Sequence, residues 1–281
     1  MSYFERAKFF KTKKRLGQNF LIDSQVIEDI IDYAEISPND TIIEIGAGVG
    51  FVTEQLVKHA KKVIAIELDE EAIKELKKIE CDNLEIIHND ILKTDISTLS
   101  DEKVKIVANI PYYITAPIIS HLLGEIDDLT NANRNSISEI VLMVQEEVAN
   151  RMVATEKSPS KQYGLLTILS QFWTDCKIMR TVGRKSFYPA PKVTSAIVKL
   201  KVNNTPRLQL SDYHFFKRVV KAGFSQRRKN IKNCLINNGF NKDIVKTVLE
   251  KLNINENTRG ETLSVSNFGQ LSEELKNATQ S

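Results

Sequence analysis

The sequence predicts a doubly wound α/β domain with a mostly parallel sheet and one antiparallel hairpin, followed by a small all-α domain. Short β-branched runs alternate with helical patterns between residues 41 and 145, which is typical of parallel strands joined by crossover helices. Two later runs, 176–182 and 193–201, alternate apolar and polar residues like an antiparallel hairpin. After residue 206 the apolar residues recur at helical spacing, which predicts the all-α region.

A domain boundary is indicated at Asn203-Asn204-Thr205-Pro206, a cluster of turn-forming residues. It divides the chain into residues 1–203, which hold the sheet, and residues 204–281, which form the helical domain. The helices expected in the second domain cover residues 213–222, 227–237, 242–252 and 265–275.

The composition is that of an ordinary globular protein. At 281 residues the chain is long enough for one full α/β domain and a smaller one. No apolar run approaches about 20 residues and the N-terminus lacks a signal-peptide core, so no membrane association is expected. The odd number and wide spacing of the cysteines indicate reduced thiols in a cytoplasmic protein: Cys81, Cys176 and Cys234. The histidines show no metal-ligand spacing, so no metal site is expected: His59, His88, His121 and His214.

Positive charge is concentrated in two segments, although the formal net charge is only +3. Residues 1–20 hold six basic side chains and one acid, Glu5. Residues 217–232 hold basic side chains and no acid: Lys217, Arg218, Lys221, Arg227, Arg228, Lys229 and Lys232. Such clusters favour a surface that faces a polyanion such as nucleic acid; the alternative is a solvated charged face.

The first element is a basic segment with an apolar end, KKRLGQNFLID at residues 13–23. Ser24 is expected to cap a helix whose buried face carries Ile27, Ile30, Ile31 and Ala34. Asn19, just before this helix, is either a ligand-facing loop amide or a turn residue.

A glycine turn follows the first β-branched strand, Thr41 to Ile45. It reads Gly46-Ala47-Gly48-Val49-Gly50 and precedes a helical pattern over residues 51–60. Gly46 and Gly48 allow the backbone to turn sharply and to approach a ligand closely. The spacing is G-x-G-x-G rather than G-x-G-x-x-G, which favours a nucleoside ligand over a pyrophosphate.

The next two strands also end in polar residues. The strand over residues 63–66 ends in Glu67, whose carboxylate is placed to accept hydrogen bonds from two ribose hydroxyls; the alternative is an acid at the start of the following helix, expected over residues 72–79. The strand over residues 84–88 ends in Asn89-Asp90, and Asp90 is placed to accept from an adenine amino group.

The fourth strand, residues 104–108, ends in Asn109-Ile110-Pro111-Tyr112-Tyr113. An amide, a proline of fixed φ and an aromatic face together suit a flat ring that carries an amino group. The alternative is a tight turn with two half-buried tyrosines. Because parallel strands present their carboxyl ends at one edge, all four strand endings are expected to line a single crevice.

The remainder of the first domain continues the alternation. Residues 115–123, 145–154 and 163–172 have helical patterns, residues 139–144 a buried-strand pattern, and residues 127–138 the composition of a polar surface loop. Phe187 opens a stiff proline-containing excursion, Phe187-Tyr188-Pro189-Ala190-Pro191-Lys192. It is either a core plug or a ligand-facing aromatic.

These motifs together resemble the ribosomal RNA small-subunit adenine N6,N6-dimethyltransferase family. They run in the family's order and cover nearly the whole chain. NIPYY and LGQNFL are specific to adenine amino-methylating enzymes, whereas the glycine motif is shared by many methyltransferases. The resembling segments are LGQNFL at 16–21, EIGAGVG at 44–50, IELD at 66–69, NIPYY at 109–113, SFYPAPKVTSAIV at 186–198 and FSQRRKNIKNCL at 224–235.

The resemblance implies a Rossmann-like methyltransferase fold, S-adenosylmethionine as the methyl donor, and dimethylation of N6 on two adjacent adenosines near the 3′ end of small-subunit (16S) rRNA in ribosome biogenesis. The implied partner is the small ribosomal subunit, and we expect a cytoplasmic monomer. The implied cofactor contacts are Asn19, Leu21, Gly46, Gly48, Glu67, Asp90 and Asn109.

The expected catalytic residues act on the adenine. The Asn109 side-chain oxygen and the Ile110 carbonyl polarise the amino group, Pro111 sets the geometry, and Tyr112 and Phe187 sandwich the extruded base, with Tyr113 in a packing role. The expected contacts to RNA phosphates are Lys13, Lys14, Arg15, Arg227, Arg228 and Lys229.

Three alternatives stay open. One is a large-subunit rRNA adenine methyltransferase of the macrolide-resistance type, against which the long C-terminal helical domain counts. Another is a ribosome-assembly or transcription factor that has lost catalysis, and a third is a small-molecule methyltransferase, which leaves the basic clusters unexplained. The chain departs from the family pattern at Gly183-Arg184, where prolines are usual, and in a longer polar loop at 127–138.

Overall fold

The computed structural model describes residues 1–13, 16–159 and 161–280. Contacts divide the chain into two compact units. The sheet unit comprises residues 1–124, 130–149 and 174–204, and the helical unit comprises residues 125–129, 150–173 and 205–281. The predicted boundary at residue 203 therefore lies beside one of these divisions, while two earlier segments join the helical unit. As a functional domain boundary it stays a prediction.

Within the described residues, seven strands form the large sheet of the first unit: β2 (Thr41–Ile45), β3 (Lys62–Glu67), β4 (Leu84–His88), β5 (Val104–Asn109), β6 (Ile137–Gln145), β7 (Thr174–Val182) and β9 (Ser195–Val202). Their order in the sheet is β4-β3-β2-β5-β6-β9-β7. The first five strands of this order are parallel, and β9 pairs antiparallel with both β6 and β7. The predicted doubly wound sheet with an antiparallel hairpin is confirmed.

Apolar sequence explains the inner strands. Every residue of β2 is buried, because a central parallel strand is covered on both faces. Along the sheet, β3 and β4 lie on one side of β2, whereas β5 and β6 lie on the other. The order therefore reverses at β2, and such a switch point opens a crevice at the carboxyl ends of the strands.

The helices are α1 (Tyr3–Phe9), α2 (Ser24–Tyr33), α3 (Thr53–His59), α4 (Glu70–Leu76), α5 (Thr115–Leu123), α6 (Ala132–Ser136), α7 (Glu146–Met152), α8 (Leu165–Trp173), α9 (Tyr213–Gly223), α10 (Ile231–Asn237), α11 (Lys242–Lys251) and α12 (Val265–Gln280). Except for α1 and α6, which the sequence does not predict, the helices agree with the helical patterns, with ends that shift by a few residues. None of the helices in the described residues is both long and apolar enough to span a bilayer.

Two local expectations at the N-terminus need correction. No helix is predicted before residue 20, yet α1 forms there and begins with a capping box between Ser2 and Glu5. The cap of α2 is Asp23 rather than Ser24, because the Asp23 carboxylate accepts from the backbone N–H groups of Gln25 and Val26.

The segment 127–138 is not simply a polar surface loop. It contains α6 and the first residues of β6. The Asn131 side chain caps α6, and Arg134 is fully buried with its Nη1 atom 2.7 Å from the Leu123 carbonyl oxygen. A buried guanidinium in hydrogen-bonding contact explains why so polar a stretch is ordered.

A second, two-stranded sheet joins distant parts of the first unit. Here β1 (Phe20–Leu21) pairs antiparallel with β8 (Phe187–Tyr188). The Ile22 N–H also donates to the Ser186 carbonyl at 2.8 Å. The excursion around Phe187 is thus fixed to the LGQNFL segment, and Arg184 supports it through a 2.7 Å hydrogen bond from Nε to the Pro191 carbonyl.

The helical unit packs α9 to α12 with α8, and buried aromatic residues occupy its core: Phe172, Trp173, Phe216 and Phe268. Residues 227–230 precede α10 rather than forming its first turn, since Asn230 is its N-cap. The basic segment 217–232 also carries less net positive charge than its sequence indicates, because tertiary contacts bring acidic side chains to it. The Asp127 carboxylate lies 2.7 Å from the Lys217 ammonium, and the Glu256 carboxylate lies 2.5 Å from the Lys232 ammonium.

Candidate functional site

One cavity lies at the switch point of the sheet, at the carboxyl ends of β2, β3, β4 and β5. All four strand-end motifs contribute residues to it, as the single-crevice prediction expects. The predicted site residues that line it are Asn19, Leu21, Gly46, Gly48, Glu67, Asp90, Asn109, Ile110, Pro111 and Tyr112. Their individual roles stay predictions.

The glycine turn after β2 forms the floor of this cavity. Gly46 and Gly48 have φ values of 71° and 57°, in the left-handed region that favours glycine. A Cβ atom on Gly48 would lie 3.0 Å from the Phe20 ring, so a side chain there would be both strained and crowded. The motif is therefore needed for backbone conformation and for close packing.

Glu67 is an acid that the backbone holds in place. Its Oε2 accepts from the Gly48 N–H at 2.7 Å, and its Oε1 accepts from the N–H groups of Leu68 and Asp69 at 2.8 Å each. Burial raises the pKa of the carboxyl, and these three donors oppose that rise. Because a carboxylate oxygen has two lone pairs, Oε2 keeps an acceptor position for a ligand hydroxyl.

Sequence reasoning missed a second acid in the cavity wall, Glu44, although it stands in the EIGAGVG segment. Glu44 is 3 % exposed and its Oε2 accepts from the Thr53 hydroxyl at 2.5 Å. Burial raises its pKa to about 8. Glu44 is therefore protonated and neutral at pH 7, beside the more strongly hydrogen-bonded Glu67.

This buried carboxyl makes stability depend on pH. In the unfolded chain Glu44 ionises near pH 4.5, but in the folded protein it keeps its proton to about pH 8. The folded state binds more protons between these values, so stability falls as pH rises, by about 1.4 kcal/mol per unit.

We expect Glu44→Gln to reduce this dependence of stability on pH, measured by thermal unfolding from pH 5 to 8. The control is Glu80→Gln, the same change at an exposed position. If the free energy of unfolding falls with pH equally in Glu44→Gln and in the wild type, Glu44 is not the group responsible.

Asn109 ends β5 and is oriented by the N-terminal segment. Its Nδ2 donates to the Asn19 carbonyl at 3.2 Å. Since a carbonyl can only accept, this contact requires the amide nitrogen on that side. The Oδ1 atom is then the acceptor that Asn109 presents elsewhere. Asn19 turns its own side chain back to the Gly17 carbonyl at 3.0 Å, which fits a turn role beside its place in the wall.

Tyr112 is half-buried, and its hydroxyl lies 2.5 Å from the Ser195 hydroxyl at the start of β9. Burial raises the pKa of this phenol, so the ring stays neutral. The hydrogen bond fixes the tip of the ring while the ring lines the cavity. Sequence reasoning did not single out Ser195, because its partner lies 83 residues away.

Two aromatic residues differ from expectation. The sequence predicts a packing role for Tyr113, but 63 % of it is exposed and it lies at the cavity beside Gly17. Phe187 is predicted to stack on a base, but it is 3 % exposed and belongs to the apolar core of the sheet unit. A buried ring offers no free face, so of its two interpretations the structure fits the core plug.

Asp90 fits its predicted position at the end of β4. Its Oδ1 accepts from the Leu92 N–H at 3.0 Å and begins a short 3₁₀ turn. The turn anchors one oxygen of the carboxylate, and the other is the acceptor suited to an amino group. The neighbouring Ile91 supplies an apolar part of the wall.

The predicted RNA-binding residues fall into two groups. Lys13 forms an ion pair with the buried Asp69, while Lys14 and Arg15 lie outside the described residues. Arg227, Arg228 and Lys229 are exposed residues of the helical unit. Arg227 also donates from Nη2 to the Lys161 carbonyl at 3.0 Å.

Known proteins resemble this chain over nearly its full length. The family model for ribosomal RNA adenine dimethylase matches residues 9–277. A "ribosomal RNA small subunit methyltransferase A" from Clostridium botulinum is 44 % identical over 270 residues, 94 % of each chain. A protein of the same name from Bacillus licheniformis is 42 % identical over 279 residues, 95 % of this chain and 92 % of its own.

Solved structures give the same result. A dimethyladenosine transferase from Plasmodium falciparum is 29 % identical and has a TM-score of 0.72, covering 89 % of this chain and 94 % of its own. The 23S rRNA methyltransferase ErmE is 25 % identical with a TM-score of 0.69, covering 92 % of this chain and 100 % of its own. Similarity over nearly the full length, together with a cavity built from the expected motifs, shows that this chain is an enzyme of the ribosomal RNA adenine dimethylase family.

Proposed function

We propose that the protein transfers methyl groups from S-adenosylmethionine to N6 of two adjacent adenosines near the 3′ end of small-subunit 16S rRNA. It would act in the cytoplasm, as a monomer without a metal, during ribosome biogenesis. The observation that carries the proposal is the cavity in which Glu67, Asp90 and the Asn109–Tyr112 segment converge. The small-subunit substrate is supported by the names of relatives that are 41–44 % identical, which are ribosomal RNA small subunit methyltransferases.

The cavity suits the proposed cofactor. When bound, S-adenosylmethionine supplies a methyl group attached to a positively charged sulfur. Glu67 would accept from the ribose hydroxyls, and Asp90 would accept from the adenine amino group beside the apolar Ile91. The left-handed turn at Gly46 and Gly48 lets the backbone approach without side chains in the way.

The residues after β5 would prepare the target nitrogen. An adenine amino group is a poor nucleophile because its lone pair is delocalised into the ring. Acceptors directed at its N–H groups favour a tetrahedral nitrogen with a localised lone pair, and they stabilise the positive charge that develops on it. Asn109 Oδ1 and the Ile110 carbonyl are the proposed acceptors, and Pro111, with φ of −59°, fixes the backbone between them and Tyr112.

Tyr112 would hold the extruded adenine by stacking. A base–aromatic stack contributes about 1–3 kcal/mol, comparable to the few kcal/mol needed to take a base from its stack. The hydrogen bond to Ser195 already restricts the ring in the free protein, so the ring loses less conformational freedom when the adenine binds. Because Phe187 is buried, the proposal assigns stacking to Tyr112 alone.

Arg227, Arg228 and Lys229 are proposed to bind RNA phosphates. Replacing all three with glutamine is expected to reduce the salt dependence of RNA binding, with the log–log slope falling by about 0.7–0.9 for each lost phosphate contact. Binding of small-subunit RNA is measured across a salt series. A matched control neutralises Lys242, Lys246 and Lys251 on α11. If the slope of the first variant equals that of wild type, these residues do not bind phosphates.

The main alternative substrate is large-subunit rRNA, because the ErmE structure also resembles this chain. Undermethylated small and large subunits are incubated separately with the protein and isotopically labelled S-adenosylmethionine, and the modified bases are mapped. We expect label on two adjacent adenosines near the 3′ end of 16S rRNA. Label confined to the large subunit, or absent from both, would overturn the proposal.

A further inference from the structure

The N-terminal residues 16–21, which we call the strap, cross the cavity at the ends of three strands. At the end of β5, the Asn19 carbonyl accepts from Asn109, and Gly17 packs against Pro111 and Tyr113. At the glycine turn after β2, the Phe20 ring packs on Gly48. The strap therefore touches both the proposed catalytic segment and the proposed cofactor turn.

The third attachment is an acid beyond the end of β3. The Asp69 carboxylate is completely buried; one of its oxygens binds the strap, and the other binds Lys13, which precedes the strap. Gln18 Nε2 donates to Oδ2 at 2.7 Å, and the Lys13 ammonium binds Oδ1. The Gln18 side chain then accepts from the Lys13 backbone N–H at 2.7 Å. The three residues thus close a ring of hydrogen bonds.

From this geometry we infer that Asp69 is a positioning residue for methyl transfer, which acts through Gln18 and the strap to orient the Asn109 amide. Gln18 directly precedes Asn19, whose carbonyl sets which atom of the Asn109 amide faces the cavity. A strap released at Asp69 no longer fixes that carbonyl. The Asn109 oxygen then samples other directions, although Asn109 itself is unchanged.

The electrostatics of Asp69 agree with this role. Burial alone would raise the pKa of its carboxyl, but the hydrogen bonds from Lys13 and Gln18 bring the pKa below its usual value. The group is therefore a carboxylate at neutral pH and attracts both donors. Asp69 also accepts a hydrogen bond from the Glu71 N–H at 3.1 Å and so caps α4. This cap needs only one oxygen acceptor, so the substitution Asp69→Asn would preserve it.

The inference rests on the proposed function and is tested by Asp69→Asn, Gln18→Ala and the double variant, with exposed Asp82→Asn as the matched control. We expect Asp69→Asn to speed hydrogen exchange of residues 16–21 and to lower the single-turnover methylation rate of undermethylated small subunits at least tenfold. Because both residues act through the strap, the double variant should lose little more than the stronger single one. Affinity for S-adenosylhomocysteine, a non-reactive probe, should fall less than the rate.

Two outcomes would overturn the inference. One is unchanged hydrogen exchange of the strap in Asp69→Asn. The other is a double variant whose loss of methylation rate equals the product of the two single-variant losses. Such independent effects would indicate that each residue has only a general structural role. Failure of the proposed function is distinguishable, because the wild-type protein would then leave small-subunit rRNA unmodified, while the hydrogen-exchange comparison would still report on the strap.

Discussion

Replacing Asn109 with alanine is expected to slow methyl transfer to RNA by about 100- to 1000-fold. The side-chain oxygen is the proposed acceptor where positive charge develops, and alanine leaves the target amino group without it. Cofactor affinity should change only several-fold, because Glu67, Asp90 and the glycine turn remain. Single-turnover rates on undermethylated small subunits, and titration calorimetry with S-adenosylhomocysteine, separate the two quantities.

The matched control for this prediction is Asn39→Ala, the same change at an exposed position before β2. It should leave both the rate and the affinity at the wild-type values. Loss of the Asn109 amide also removes the donor to the Asn19 carbonyl, so a small affinity change is expected through the strap. Equal losses of rate and affinity in Asn109→Ala would argue against a role in polarising the amino group.

Replacing Glu67 with glutamine is expected to weaken cofactor binding by about 10- to 100-fold. Glutamine retains one acceptor oxygen but puts an amide nitrogen where the carboxylate accepts from backbone N–H groups. Hydrogen bonds to a charged group contribute about 1.5–3 kcal/mol, and the charged acceptor for the ribose is lost as well. The measurement is the dissociation constant for S-adenosylhomocysteine.

The neighbouring Glu70→Gln is the control, because Glu70 is exposed in the first turn of α4. It tests whether removing a negative charge near the cavity is by itself sufficient to weaken cofactor binding. A thermal unfolding measurement confirms that Glu67→Gln remains folded before its affinity is interpreted. Wild-type affinity in a folded Glu67→Gln protein would exclude Glu67 as the ribose acceptor.

Elements that depend on a local pattern can be predicted from the sequence. The boundaries of β2 and α5 agree with the predicted runs, because continuous apolar residues and helical spacing describe burial directly. The single crevice could also be predicted, since every parallel strand ends at the same edge of the sheet. The buried Arg134 could not be predicted, because a polar stretch gives no sign of a carbonyl partner in α5.

By itself, therefore, the sequence determined the doubly wound sheet, the order of its strand-end motifs and the family. Only the tertiary structure decided which neighbours those motifs have. In the folded protein Phe187 is buried against the strap and Tyr113 is exposed. Burial keeps Glu44 protonated, and Lys13 forms an ion pair with Asp69. The physical reason is that periodicity and turn chemistry are local, whereas burial, pKa and ion pairing depend on groups brought together from distant parts of the chain.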